Sequence, residues 1–489
     1  AASDVYKRQK HFRKNALLGG AWRLGEIGFG RSVRRGVTKK SLFYLHIKLL
    51  SIEKIIAQTE RKLKFFSQDL LFFCIIWYNS RMSDKKSENR VETSARKPVK
   101  LKGWLIALCV CVIALVVLCV LKTNTSVCEF LARTFSRAWV WFFSHIFGWL
   151  PISMYELLIL AAVAGAVFSI VRIIINLKRK EGLRALRVAV IAAVACTGFA
   201  SVYTATASVC YNRNYIPLGQ ENFTVSDETL FDACEYYVTK LNEVSARLKR
   251  DSDGIVENPY TTKELGDILQ NDFRCLDEFD GFFSPYTPQA KGMASSFFMS
   301  ALSLTGITFV PFGEPNVNTQ NPACDLPHTM AHEMAHSKGV MREYEANIVA
   351  NYVCLKSSDD FVLYSGLTHT VYDLLSLYVT QTGDSEGQDA FYDMIDDAIS
   401  TERYAVFLFW TKQSSFFSGI SEWFNNLYLK LNGQSDGTGS YKEPPVVTEP
   451  SPPSDTPGDE PAPPEPSAPT VVSYTQTQRI MLELFLAQK

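Results

Sequence analysis

Three long apolar runs fall within about a hundred residues of one another and constrain this chain more than any other feature. Trp104 to Leu121 carries no charge, Ile152 to Leu177 is interrupted only by Glu156 and Arg172 near its ends, and Val188 to Val209 is rich in alanine. A helix needs roughly 20 apolar residues to cross the hydrocarbon core of a bilayer, so the runs predict three transmembrane helices over 104–121, 152–177 and 188–209. A signal peptide is the alternative for the first run, but it lacks a clean small-residue cleavage site and two further runs follow.

Orientation follows the basic residues. Lys85, Lys86, Arg90, Arg96, Lys97, Lys100 and Lys102 precede the first run, and Lys178, Arg179, Lys180, Arg184 and Arg187 separate the second from the third. Loops rich in Lys and Arg stay in the cytoplasm, so 82–103 is expected to be a cytoplasmic N-terminus. The loop 122–151 and everything after 209 then lie outside the cell membrane. That loop holds Trp139, Trp141, Phe142, Phe143 and Trp149, the pattern of an aromatic segment at a lipid interface or of a plain hydrophobic connector.

The segment before Met82 contains no methionine and carries near its start Asp4-Val5-Tyr6-Lys7-Arg8-Gln9, which looks like a translated library adapter. Residues 1–81 are therefore expected to be a gene-calling artefact, with translation starting at Met82. The formal net charge of zero argues against a nucleic-acid partner. The cysteines beyond the runs, Cys210, Cys234, Cys275, Cys324 and Cys354, form no C-x-x-C pair and read as small buried apolar residues.

Residues 210–433 suit one soluble domain. Ser226 is placed to cap a helix with Leu230, Phe231, Cys234, Tyr237, Val238, Leu241 and Leu248 on one face, and Thr261 with Glu264 has capping-box spacing. A β-branched and aromatic stretch at 305–312 predicts a strand near a sheet edge. Helical patterns follow at 328–337, 341–356, 370–382, 386–410 and 414–431. From 434 to 471 the chain is dominated by Pro, Ser, Glu, Asp and Gly, a disordered linker, and 472–489 is a short tail in which Ile480, Met481, Leu484 and Phe485 share one helical face.

The chemistry concentrates at His332-Glu333-Met334-Ala335-His336. Histidines four apart on a helix put two imidazole nitrogens on one face, where they can meet one cation, and zinc accepts such nitrogens together with carboxylate oxygen. Glu333 points beside the metal, where a carboxylate can take a proton from attacking water and return it to a leaving amine. A third ligand is needed, and Glu343 and Glu345 are the nearest carboxylates. On an unbroken helix Glu343 would sit roughly 16 Å along the axis from His332, too far to share an ion. The helix must therefore stop, and Gly339 is placed to stop it in a left-handed C-cap.

At these residues the chain resembles the bacterial domain-of-unknown-function 3810 family of membrane proteins. The resemblance rests on Gly148-Trp149-Leu150-Pro151-Ile152-Ser153, on Asn212-Arg213-Asn214-Tyr215, on Thr308 to Asn318, on the His332–His336 segment and on Arg342-Glu343-Tyr344-Glu345-Ala346-Asn347. It implies a zinc peptidase. The E-x-x-A-N element at Glu343 to Asn347 also resembles the E-x-x-A-D element of membrane-bound gluzincin peptidases, which implies Glu343 as third zinc ligand and Asn347 as its supporting neighbour. Position 347 is Asn where that element has Asp, and Glu345 stays as the alternative ligand.

His328 lies one turn before His332 and reads as a capping or surface residue or as a further member of the metal face. Tyr364 or His369 could stabilise an oxyanion, and Glu314 and Asn316 could position substrate along the edge strand. The expectation is a mainly α, zincin-like α+β soluble domain with a small sheet behind three transmembrane helices. Its expected activity is a membrane-anchored zinc metallopeptidase acting on a peptide or protein. The alternative is an exported receptor or scaffold with a structural or vestigial zinc site.

Overall fold

The structure, a computed structural model, describes residues 99–219, 223–279, 281–413, 416–443 and 474–489. The expected artefact at 1–81, the basic segment as far as residue 98 and the Pro-rich stretch from 444 to 471 lie outside the described residues.

Among the described residues, three helices are long and apolar enough to cross a membrane: α1 (Lys102–Leu121), and two more that follow a helical connection. That connection, expected as an aromatic loop, consists of α2 (Thr125–Leu131), a π-helical turn over Ala132–Ser136 and α3 (Arg137–Phe147). Asn124 starts it by accepting from the Val127 amide at 3.1 Å. The second span is α4 (Met154–Lys178), capped by Ser153, and the third is α5 (Gly182–Thr206). Helix α5 begins before the predicted apolar run, because Arg184 extends the helix while pairing with Glu181 at 2.9 Å. It also ends before Val209, and Ser208–Asn212 continues as a buried 3-10 turn that belongs to the soluble domain.

The soluble domain opens with α6 (Asp227–Arg247) and α7 (Thr262–Asp272), started by Ser226 and by the Thr261–Glu264 capping box as their sequences dictate. A three-stranded sheet follows, made of β1 (Lys291–Gly292), β2 (Gly306–Phe309) and β3 (Glu314–Val317) in the order β1-β3-β2, with a short α8 (Ser296–Ala301) between the first two strands. β2 is antiparallel to β3, with Ile307 opposite Asn316 and Phe309 opposite Glu314. The predicted strand 305–312 is shorter than expected. Pro311 turns the chain, Gly313 takes a left-handed φ of 59°, and the polypeptide doubles back as β3. β2 does form the predicted sheet edge.

The helical half comprises α9 (Leu326–Ser337), α10 (Glu343–Leu355), α11 (Asp360–Thr382), α12 (Ser385–Met394), α13 (Asp397–Gln413) and α14 (Phe416–Leu431). The pattern at 386–410 is two helices, because Asp396 caps a new start through the Ala398 amide at 3.0 Å. The main core lies between α6, α10 and α11.

The tail is a folded element. Helix α15 (Gln476–Leu486) starts with a Thr475–Gln478 capping box and buries Ile480, Met481, Leu482 and Phe485 in the main core. Tyr237 donates to the Met481 carbonyl at 2.7 Å. Residues 434–443, expected to start the linker, also pack on the domain: Tyr441 is buried in a second core with Val140, Val209, Tyr211, Met341 and Leu429. The ten cysteines of the described residues are free thiols; beyond the spans Cys210, Cys234, Cys324 and Cys354 are buried and Cys275 is half-buried.

Candidate metal centre

α9 ends at Ser337, Gly339 takes φ +89° and α10 starts at Glu343. The predicted break is therefore present, and it turns the two helices into an antiparallel pair. Three rungs tie them at intervals of one turn. His336 faces Glu343, His332 faces Asn347, and His328 faces Asn351.

The innermost rung gathers the candidate ligands. The Glu343 Oε2 atom lies 3.2 Å from His332 Nε2 and 3.5 Å from His336 Nε2. A tetrahedral ion with bonds of roughly 2.0–2.2 Å holds its ligand atoms roughly 3.3–3.6 Å apart, so the donor set fits zinc in kind, the two Glu343–histidine separations suit it, and the three ligand atoms lie within 4.8 Å of one another. Each imidazole is oriented from behind. His332 Nδ1 meets Asn347 Oδ1 at 2.9 Å and His336 Nδ1 meets the Val340 carbonyl at 2.7 Å, which leaves both Nε2 atoms facing Glu343.

All three groups are buried. Burial alone would push the Glu343 carboxyl up, but the two imidazoles outweigh it and hold the group well below the usual carboxylate range. Burial likewise opposes charge on His336, and Glu343 overrides it, raising the imidazole to about 9. The cluster is a place where positive charge is wanted.

Glu333 sits on the same helix, buried, with its carboxyl shifted upward by desolvation against the pull of His332 and His336. Thr308 of the edge strand holds it, with Oγ1 2.8 Å from Glu333 Oε2. The strand comes this close because residue 306 is glycine: a Cβ there would stand 2.5 Å from Glu333 Oε1.

The remaining candidates have other partners. Glu345 is not beside the histidines. It pairs with Arg342 at 2.9 Å and accepts from the Ile216 amide at 3.2 Å. Glu314 does not line a substrate strand, because its carboxylate accepts from the Met154 amide at 2.9 Å and faces Lys291 at 3.5 Å, fastening α4 to the sheet. Asn316 is fully buried on the central strand, donating to the Glu314 carbonyl at 3.0 Å. The Tyr364 hydroxyl is taken by Glu402 and by Arg250 Nη2 at 3.1 Å. His369 stacks on His328 with ring centres 3.9 Å apart and lies 3.4 Å from Asp325. His328 itself is held by Asn351 at 2.8 Å, so it extends the ladder without joining the ligands.

Tyr441 is the residue the sequence reading missed. It falls in the stretch expected to be a linker, yet it is buried near the ligands. Burial first, then Glu343 and Glu333, keep its phenol protonated far above its ordinary range, and its carbonyl accepts from Asn347 Nδ2 at 3.3 Å. The available signal was the ring itself, the lone aromatic residue of the 434–471 stretch.

Arg213 ties the site to the connection between the spans. It pairs with Glu129 at 2.8 Å and donates to the Gly339 carbonyl at 3.3 Å. Arg342 in turn donates to the Arg213 and Asn214 carbonyls. A family model described as "Protein of unknown function (DUF3810)" matches residues 132–446, from the π-helical turn to just past Tyr441. No curated protein and no solved structure matches the chain.

Proposed function

The chain belongs to the DUF3810 family of proteins of unknown function, and on that premise we propose from the site itself that it is a membrane-anchored zinc metallopeptidase of the zincin, gluzincin-like kind. One observation carries the reading: a single carboxylate oxygen of Glu343 lies within 3.5 Å of two imidazole Nε2 atoms, while a separate buried carboxylate, Glu333, stands one residue from the first histidine.

His332, His336 and Glu343 would hold the ion. Zinc, when bound, supplies a Lewis acid that acidifies water and polarises a carbonyl. Glu333 takes the proton of the attacking water on a carboxylate oxygen and delivers it to the leaving amine nitrogen. Desolvation suits it to that exchange, since a carboxyl moved toward neutrality is a better base than one on the surface. Thr308 orients the carboxylate, and Asn347 and the Val340 carbonyl keep the imidazoles aimed. The Tyr441 phenol, held protonated, is a donor suited to the developing oxyanion. An extended peptide would pair with the free edge of β2, beside Glu333. The basic residues between α4 and α5 favour an extracytoplasmic site, with the N-terminus in the cytoplasm.

The depth of the cluster favours a second reading, an exported receptor or scaffold whose zinc is structural or vestigial. One experiment separates them. Purified full-length protein and Glu333→Gln are compared for zinc content and for cleavage of an unstructured protein. Equal zinc with turnover lost supports the peptidase; equal cleavage by both rules the mechanism out.

A further inference from the structure

The edge strand that approaches Glu333 also reaches the membrane spans. Phe309 follows Thr308 directly, and its ring lies 5.1 Å from Tyr155 of α4 and 6.0 Å from Phe199 of α5, parallel to the latter within 5°. Phe199 precedes the end of α5 at Thr206 by seven residues, which is roughly 10 Å of helical rise. Tyr155 is the second residue of α4, so this contact falls at the end of the second span, where it leaves the lipid.

Three exposed aromatic groups are each fastened to a span end. Lys291 donates to the carbonyls of Phe147 at 2.9 Å and Ile152 at 3.1 Å, fixing the turn that carries Trp149, which is 77% exposed. Glu156, in the first turn of α4, accepts from the Ser295 amide at 2.7 Å and so holds α8 with its exposed Phe297 and Phe298. Tyr203, in the last turn of α5, donates to the Tyr428 hydroxyl at 2.7 Å and so holds α14 with its exposed Trp423 and Phe424. Exposed aromatics grouped at the ends of apolar spans are the signature of rings seated in a lipid interface. The apolar surface of the spans continues into them, so the bilayer that receives the spans is their occupant.

We infer that the substrates of this site are polypeptides anchored in the same bilayer, cut in the stretch that emerges from the leaflet facing the domain. The inference rests on the peptidase reading. An extended segment paired with β2 has one end at Phe309, among α4 and α5. A chain rising out of the lipid is already there, whereas a free peptide must enter the interface to fill the strand. Anchoring also converts binding into a local event at high effective concentration.

The test uses the full chain in phosphatidylcholine vesicles. The probe is a stalk of identical mixed-sequence repeats fused to one apolar span, with the free stalk as its soluble counterpart and Glu333→Gln as control. The expected result is cleavage in the repeat next to the bilayer, at about tenfold or more over distant repeats, absent in the control. Glu333-dependent cutting of the free stalk, with even or distal cutting of the anchored one, overturns the inference and leaves the peptidase reading standing. No Glu333-dependent cut in either probe overturns both.

Discussion

His328 and Asn351 repeat, one helical turn farther from the break at Gly339, the pairing that His332 makes with Asn347: Nε2 of the first lies 2.8 Å from Oδ1 of the second. The rung of His336 and Glu343 is thus the end of a ladder whose other rungs are plain hydrogen bonds.

Asn347→Ala removes the acceptor behind His332 while leaving all three ligands. Loss of such a partner costs roughly 10–100-fold in metal affinity, and competition with a chromophoric chelator at fixed pH measures it. Unchanged affinity would mean that Asn347 does not orient His332.

Glu343→Ala and Glu345→Ala should separate metal from fold. The first is expected to lose zinc while the spans and core persist. The second keeps zinc and loses thermal stability, because Arg342 and the Ile216 amide lose a buried partner, at a cost of roughly 1–3 kcal/mol or more for a charged group. Metal analysis alongside thermal melting checks both, and zinc loss in Glu345→Ala alone would reverse the ligand assignment.

Gly306→Ala tests the fit of the edge strand against Glu333. The added Cβ would stand 2.5 Å from Oε1, so the carboxylate must move. Zinc content should hold while turnover of an unstructured protein falls by about 100-fold, the effect of displacing a reacting group by an ångström. Wild-type turnover in this variant would mean that Glu333 tolerates displacement.

Thr308→Val bears on the pH profile. The hydroxyl stabilises the charged form of Glu333, so its removal raises the carboxyl further. A base must be ionised to act, so the acidic limb of kcat/KM moves to higher pH in the variant. An unmoved limb would separate Thr308 from the titration.

Glu129 offers a pH test away from the ligands. Burial raises its carboxyl, but Arg213 and Arg133 prevail and hold it at about 2 against an ordinary 4.5. A group lowered on folding stabilises the native state above its unfolded value and loses that contribution as pH falls through the folded one. Melting of the wild type in detergent should therefore weaken between pH 4.5 and about 2 more steeply than melting of Glu129→Gln. Parallel curves would deny the ion pair a role in docking the α2–α3 connection.

Much of this was legible beforehand because local chemistry decided it. The spans followed from run length, α6 and α7 from their caps, and the return of Glu343 from an axial distance that one helix cannot bridge. What escaped detection depends on partners distant in sequence. Glu314 and Asn316 looked like strand-borne substrate contacts because nothing local reveals that one fastens Met154 and the other sits inside the sheet. Tyr364 and His369 looked available because Glu402, Asp325 and His328 lie elsewhere in the chain. Tyr441 was hidden by its neighbourhood, since the composition after it is that of a linker while its own ring is core. The ladder itself was readable: histidines at 328, 332 and 336 are mirrored by Glu343, Asn347 and Asn351 across the break.

Glu443 accepts from both the amide and the hydroxyl of Thr477, and that hydroxyl accepts from Asn351 at 2.9 Å. Glu443 and Thr477, on either side of 444–473, are thus held together. Where two ends are held together, the number of residues between them is almost free to drift, since doubling a loop costs only about 0.6 kcal/mol. Insertions and deletions should accumulate there across related chains, while the spacing from Tyr203 to Tyr441 stays fixed by the paired helices α9 and α10 that it encloses.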